Sequence, residues 1–181
     1  MKVGIYFGCF IPLHEGHLKC IKKCRAENEK TILGLCGHDG DRGKGFVPFD
    51  DRIILMKWIY GEYKDVTLSV IDDKAVGLKG LFDGPSWEMW CDELFENSGF
   101  NPYDKSIEYT WYTGEPSYVR AIKNIYPDHN FKLINRKPFG FETISGTKVR
   151  RNPEKYVDQI HPIFVNYLRT QKILPKEPED E

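Results

Sequence analysis

A chain of 181 residues, 40% hydrophobic and 29% charged, is long enough to bury one ordinary core without disulfides or a structural metal. Lys and Arg total 26 against 27 Asp and Glu, so no overall field gathers nucleic acid or an anionic membrane, and any polyanion has to be met at a local site. Five cysteines, with a strand pattern that starts at Lys2 and leaves no room for a signal peptide, lead to the expectation of reduced thiols in the cytoplasm. No apolar run approaches the length of a membrane span.

In chain order, Val3–Phe7 reads as a first strand and Glu15–Arg25 as a helix whose Leu18, Ile21 and Lys22 are spaced to form an inward stripe. Thr31–Leu35 is a second strand, followed by the glycine-rich, charged segment Gly37–Gly45, flexible by composition and expected to close over something. Asp50 is expected to cap a helix through Tyr60, with Ile53, Ile54, Met56, Lys57 and Trp58 as a broad apolar face. Val66–Ile71 is the third strand, and after a long loop Ser86 is expected to cap a helix Trp87–Asn97 that Gly99 stops. Ile107–Tyr112 is the fourth strand, Pro116 opens a helix through Ile125, and Phe131–Ile134 is the fifth strand. From Ser145 to Ile173 the pattern is helical, interrupted at Pro153 and Pro162, and an acidic tail covers 175–181. Alternation of this kind implies crossover connections. It predicts an α/β, Rossmann-like, doubly wound parallel sheet of about five strands with helices on both faces, as a single domain over 1–174. Ligands in such sheets sit beyond the carboxyl ends of the strands.

The loop after the first strand, Gly8-Cys9-Phe10-Ile11-Pro12-Leu13-His14-Glu15-Gly16-His17, carries the strongest chemistry. His14 and His17 are three apart at a helix start, so both imidazoles fall on one side of its first turn. The helix dipole and the first-turn amides point to the same place, and Gly16 removes a side chain between the rings. Gly8 is expected to let the chain turn tightly off the strand. Together these make a socket for nucleotide phosphates. A GxGxxG and a GxxxxGK[ST] are both absent, which removes dehydrogenases and P-loop kinases. Downstream, Ile144-Ser145-Gly146-Thr147-Lys148-Val149-Arg150 places an N-cap serine, two small residues and two cations at another helix start. Cys20 and Cys24 lie one helical turn apart near the two histidines, but the pattern lacks a complete tetrahedral ligand set and reads as small apolar side chains under the helix.

The first string resembles the GxFxPxHxGH signature, and the second the ISxTxxR signature, of the HxGH nucleotidylyltransferase superfamily, in the right order. Within it the chain looks like the nicotinamide mononucleotide adenylyltransferases, and most like the adenylyltransferase domain of bacterial bifunctional proteins that also carry a ribosylnicotinamide kinase. The likeness covers about Lys2 to Leu168 and includes Asp51-Arg52, Trp87-x-x-Trp90, Tyr112–Glu115, Arg150-x-Asn152-Pro153 and Tyr156. Neither a kinase segment after this region nor a DNA-binding segment before it is expected from these residues, so only the adenylyl transfer is carried over. Cys9 stands where a basic residue is more usual.

The resemblance implies that AMP moves from ATP to nicotinamide mononucleotide, giving NAD and pyrophosphate, with Mg²⁺ held by the phosphates rather than by side chains. It implies catalytic roles for His17, His14 and Arg150. ATP would meet Gly8, Cys9, Phe10, His14, Gly16, His17, Gly114, Glu115, Ile144, Ser145, Gly146, Thr147, Lys148 and Arg150. The mononucleotide would meet Phe7, Gly8, Asp39, Trp87 and Trp90, with one of the two tryptophans stacked on nicotinamide; aromatics at that spacing are as readily core. The partners expected are the two nucleotides, with no nucleic acid or membrane, and nothing excludes a homo-oligomer. The rival readings are a sister transferase acting on phosphopantetheine or glycerol phosphate, and a non-catalytic NAD-binding regulator. A tRNA synthetase fragment fits poorly, for want of a KMSKS-type loop.

Overall fold

The computed structural model describes residues 1–76, 84–134 and 144–176. Five parallel strands form one sheet: β1 Lys2–Gly8, β2 Lys30–Gly37, β3 Val66–Asp72, β4 Glu108–Thr113 and β5 Asn130–Leu133, in the order β3-β2-β1-β4-β5. The chain winds outward from β1 in one direction and, after β3, returns to build β4 against its other side. The switch point therefore falls between β1 and β4, and sheets of this kind bind ligands beyond the carboxyl ends of the strands at that point.

Among the described residues six α-helices accompany the strands: α1 Glu15–Glu27, α2 Phe49–Tyr60, α3 Gly84–Ser98, α4 Pro116–Ile125, α5 Gly146–Arg151 and α6 Pro162–Thr170, with a 3₁₀ turn Glu154–Gln159 between the last two. Period-two alternation decides which helix each strand residue meets. Tyr6, Leu33, Leu35 and Tyr112 pack with α1, α2, α5 and α6, whereas Val3, Ile5, Ile32 and Trp111 pack with α3 and α4. The doubly wound sheet expected from the sequence is the one observed.

Several local expectations change. The buried stripe of α1 is Cys20, Ile21 and Cys24, one residue in phase from that read off the pattern, and Lys22 faces out. The helix expected from Asp50 begins at Phe49 after Pro48, so Asp50 lies in its first turn with no capping bond. Its buried side is Phe49, Arg52, Leu55, Met56 and Tyr60, while Ile54 and Trp58 are exposed at 49% and 71%. Ser86 lies inside α3 rather than at its cap, and Gly99, at φ 72, ends that helix as expected. The loop part 77–83, and 177–181 of the acidic tail, lie outside the described residues. Among the described residues no helix is long and apolar enough to cross a membrane.

Candidate active site

The loop leaving β1 owes its turn to Phe10 rather than to Gly8. Phe10 adopts φ 48, a left-handed conformation a bulky residue avoids unless its surroundings hold it there, and its ring is fully buried. The ring stands edge-on to His17 at 5.1 Å. His14 is the N-cap of α1: its Nδ1 accepts from the Gly16 amide at 3.2 Å, and His17 Nδ1 accepts from the His14 amide at 3.4 Å. This is a capping box built from two imidazoles, which stack at 3.8 Å with 24° between their planes. Accepting at Nδ1 puts the proton of each neutral ring on Nε2, so both are donors there. A neutral ring also avoids the repulsion a charged one would meet at the positive end of the helix. His14 is 2% exposed and His17 is half-buried, so of the two His17 is the one within reach of a ligand.

Gly16 is required by close approach. A Cβ there would sit 3.1 Å from both the His14 ring and Ile144. That second neighbour belongs to the downstream motif, and the two motifs meet across more than a hundred residues of chain. Arg150 donates to the Ile11 carbonyl at 2.9 Å and to Thr147 Oγ1 at 3.3 Å. A Cβ on Gly146 would come within 2.8 Å of the same Ile11 oxygen. Ser145 caps α5, its Oγ accepting from the Lys148 amide at 3.3 Å, and Thr147 and Lys148 are exposed. The chain beyond α5 adds a further tie: the His161 amide donates to the Leu13 carbonyl at 3.0 Å.

The glycine-rich loop after β2 is anchored, not loose. Asp41 accepts from Arg52 at 2.6 Å and from the Gly43 amide at 2.7 Å, while Phe46 and Val47 are buried. Arg52, fully buried in the first turn of α2, reaches on to the Cys9 carbonyl at 2.9 Å. One side chain thus ties the loops after β1 and β2 together, and Asp41 supplies its counter-charge. Arg42, on the same loop, lies 3.5 Å from Cys9 Sγ. Burial, and then repulsion from Arg42, hold the Arg150 guanidinium below its usual pKa, the mark of cations gathered with too little negative charge between them. A polyphosphate would relieve that field. Arg42, Asp41 and Arg52 as a clamp were missed from the sequence; an acidic residue in the glycine-rich loop with an arginine in the next helix's first turn was the available signal.

At the neighbouring carboxyl ends, Gly114 is half-buried and Glu115 exposed, the latter opening α4 with its amide on Thr113 Oγ1 at 3.1 Å. Asp39 is exposed on the β2 loop. Trp87 and Trp90 are 2% and 1% exposed, and half-buried Phe7 lies against them at 6.5 and 4.8 Å. Their burial favours the core alternative: a ligand could stack on either indole only by displacing what covers it. Phe7 and Tyr118, 5.6 Å apart, are the less buried rings of this cluster. Trp90 Nε1 donates at 3.1 Å to Asp73, a residue the sequence did not single out. Burial, and then the nearby Cys9, push the Asp73 carboxyl up to about 7.

A profile described as cytidylyltransferase-like matches residues 5–152. The trifunctional NAD biosynthesis/regulator protein NadR of Salmonella typhimurium is 26% identical over 96% of this chain and 42% of its own length. The nicotinamide-nucleotide adenylyltransferase of Thermococcus sibiricus is 21% identical over 93% of this chain and 84% of its own. A probable nicotinate-nucleotide adenylyltransferase of Fusobacterium nucleatum is 30% identical over 75% and 64%. Among solved structures, NadR in complex with NR superposes with a TM-score of 0.74 at 27% identity, covering 90% of this chain and 44% of that one. The chain therefore spans less than half the length of NadR. With both signature segments inside the matched residues and locked together in the fold, the chain belongs to the cytidylyltransferase-like family of nucleotidyltransferases and is homologous to the adenylyltransferases of NAD biosynthesis.

Proposed function

We propose that the chain transfers the AMP portion of ATP to nicotinamide mononucleotide. The observation that carries this reading is the junction of the two motifs: Arg150 on the Ile11 carbonyl and Ile144 against Gly16 put the stacked histidines beside the cations of the second segment. An oxygen of the mononucleotide 5′-phosphate attacks the α-phosphorus, the bond to the bridging oxygen breaks, and pyrophosphate departs. A phosphate monoester is already a nucleophile, so the protein's task is alignment and charge neutralisation rather than proton abstraction. His17 donates from Nε2 to the transferring phosphate, with His14 fixing its plane from behind. Arg150, Lys148 and the Ser145–Thr147 backbone face the leaving pyrophosphate, and Gly114 and Glu115 border the adenosine.

Mg²⁺ bound to the triphosphate would neutralise the charge that develops on the leaving group. The side chains fit a metal carried by its substrate: Asp41 is committed to Arg52, and the groups around Cys9 and Arg150 are cations. Among the described residues no group of three or more His, Cys, Asp or Glu stands ready for an ion. The amide form of the mononucleotide is preferred here to the acid form. The nicotinamide ring would lie on the aromatic cluster floored by Trp87 and Trp90, beside Asp73, whose charge, present above about pH 7, would repel a nicotinate carboxylate. The acid reading keeps some support from the Fusobacterium relative.

The test is pyrophosphate release by the purified chain with ATP, Mg²⁺ and each acceptor in turn. Nicotinamide mononucleotide should be fastest. Faster turnover with nicotinate mononucleotide would reverse the amide assignment, and faster turnover with phosphopantetheine or with glycerol phosphate and CTP would replace the reading. No turnover with any acceptor, but binding of NAD, would favour a regulator.

A further inference from the structure

Two of the five thiols meet at the mouth of this site. Gly8 and Leu35 are register partners on β1 and β2, so Cys9, the first residue beyond β1, lies beside Cys36 near the end of β2. Their sulfurs are 3.9 Å apart. Cys9 is half-buried with Arg42 at 3.5 Å from its sulfur, while Cys36 is buried behind it. Cys20, Cys24 and Cys91 are buried in the two cores.

We propose that Cys9 and Cys36 are a reversible oxidation site: a peroxide converts them to a disulfide, and a dithiol restores them. The Cys9 thiolate attacks one peroxide oxygen, the O–O bond breaks, and Cys9 becomes a sulfenic acid as hydroxide leaves. The Cys36 sulfur then attacks the sulfenic sulfur, gives up its proton and displaces water. Peroxide is the oxidant and is reduced to water; two thiols are oxidised to one disulfide. Arg42 stabilises the thiolate that starts the sequence, and Cys36 donates to it. In keeping with this, the hydrogen bond from Cys36 and then the charge of Arg42 hold the Cys9 thiol below the usual range, while that same contact and burial hold Cys36 above it.

Oxidation has a structural consequence. Closing 3.9 Å to a bond of about 2.05 Å draws Cys9 toward β2 and removes the thiolate that Arg42 faces. The Cys9 carbonyl is the acceptor of buried Arg52, and the next residue is the left-handed Phe10 whose ring abuts His17. The disturbance therefore reaches the histidine pair and lowers turnover. This last step rests on the proposed adenylyl transfer; the thiol chemistry does not.

The full chain is treated with hydrogen peroxide, its free thiols are counted under denaturing conditions, and the linked peptides are mapped by mass spectrometry. Five thiols should fall to three, with one peptide pair joining Cys9 to Cys36, and dithiothreitol should restore all five. Before oxidation, Cys9 should alkylate about tenfold or more faster than Cys20, Cys24 or Cys91. In Cys36→Ala, Cys9 should stop at a sulfenic acid that dimedone traps, while turnover without peroxide stays as in the parent. Five thiols remaining, or a disulfide between other residues, would overturn the proposal. A Cys9–Cys36 disulfide that leaves turnover unchanged would overturn its regulatory half, whereas a reduced chain inactive on every acceptor would fault the transferase reading and leave the thiol result standing.

Discussion

The two faces of the sheet are built by different means. On the face covered by α3 and α4, rings meet rings: Phe95 touches Tyr109, Trp111, Tyr126 and His129, and Phe7 lies on Trp87 and Trp90. On the face covered by α1, α2, α5 and α6, three backbone carbonyls of the first loop are taken by groups from distant segments. Cys9 is held by Arg52, Ile11 by Arg150 and Leu13 by the His161 amide. Apolar contact is non-directional and tolerates small shifts, whereas hydrogen bonds fix direction. The aromatic face supplies stability and shape, and the hydrogen-bonded face supplies the placement that phosphate chemistry needs. Stability and turnover should therefore fail separately.

The largest effect is expected on the aromatic face. Trp90→Ala removes a fully buried indole and should cost about 3–5 kcal/mol of stability, read by urea or thermal unfolding. Unchanged stability with a raised Michaelis constant for the mononucleotide would mean that the ring is a ligand platform and not core. On the other face, His17→Ala should add about 3–4 kcal/mol to the barrier for transfer, while its lost capping bond lowers stability by only about 1 kcal/mol. Near-parental pyrophosphate release from the folded variant would remove His17 from the reaction.

The sequence makes the hydrogen-bonded face more legible in its residues and the aromatic face more legible in its elements. His14, Gly16, His17, Ile144, Gly146 and Arg150 are all identifiable because the site is built from short contiguous strings whose members touch locally. What ties the first string to the loop after β2 is long-range: Asp41 and Arg52 become a pair only when β1 and β2 lie side by side. The strands were legible because parallel strands buried on both faces give continuous apolar runs. Helix phase was not. In α1 small cysteines rather than leucines face the sheet, and in α2 tertiary packing buries Arg52 while leaving Trp58 in solvent. Gly8 was credited with a turn that Phe10 makes, because burial of the ring, which no local rule records, holds the left-handed backbone.

Arg150→Ala sharpens the comparison at a smaller scale, since this one side chain both ties the motifs and faces the pyrophosphate. Loss of its charged hydrogen bond to Ile11 should cost about 1.5–3 kcal/mol, divided between folding and ATP affinity. Titration calorimetry should find ATP weakened more than nicotinamide mononucleotide. An equal loss for both ligands would mean that Arg150 acts only by holding the loop.

An effect that pH switches on and off is expected where the two faces meet, at Asp73, which accepts from Trp90 and feels the charge of Cys9. Burial first, and then Cys9, raise its carboxyl to about 7, whereas an unfolded chain titrates it near about 3.9. As pH rises between those values the unfolded state releases its proton while the folded state keeps one. Stability from this group is thus full below about 4, falls through the interval and is level above about 7. Asparagine cannot ionise, yet its side-chain oxygen still accepts from Trp90 Nε1. Asp73→Asn should therefore match the parent near pH 4 and melt higher at pH 8, by on the order of ten degrees for a chain of this size. A difference that did not change with pH would show that packing, not charge, separates the two proteins. The same substitution bears on the acceptor: if Asp73 lies beside the pyridine ring, removing its charge at pH 8 should improve turnover of nicotinate mononucleotide relative to the amide. An unchanged ratio would place the pyridine ring elsewhere.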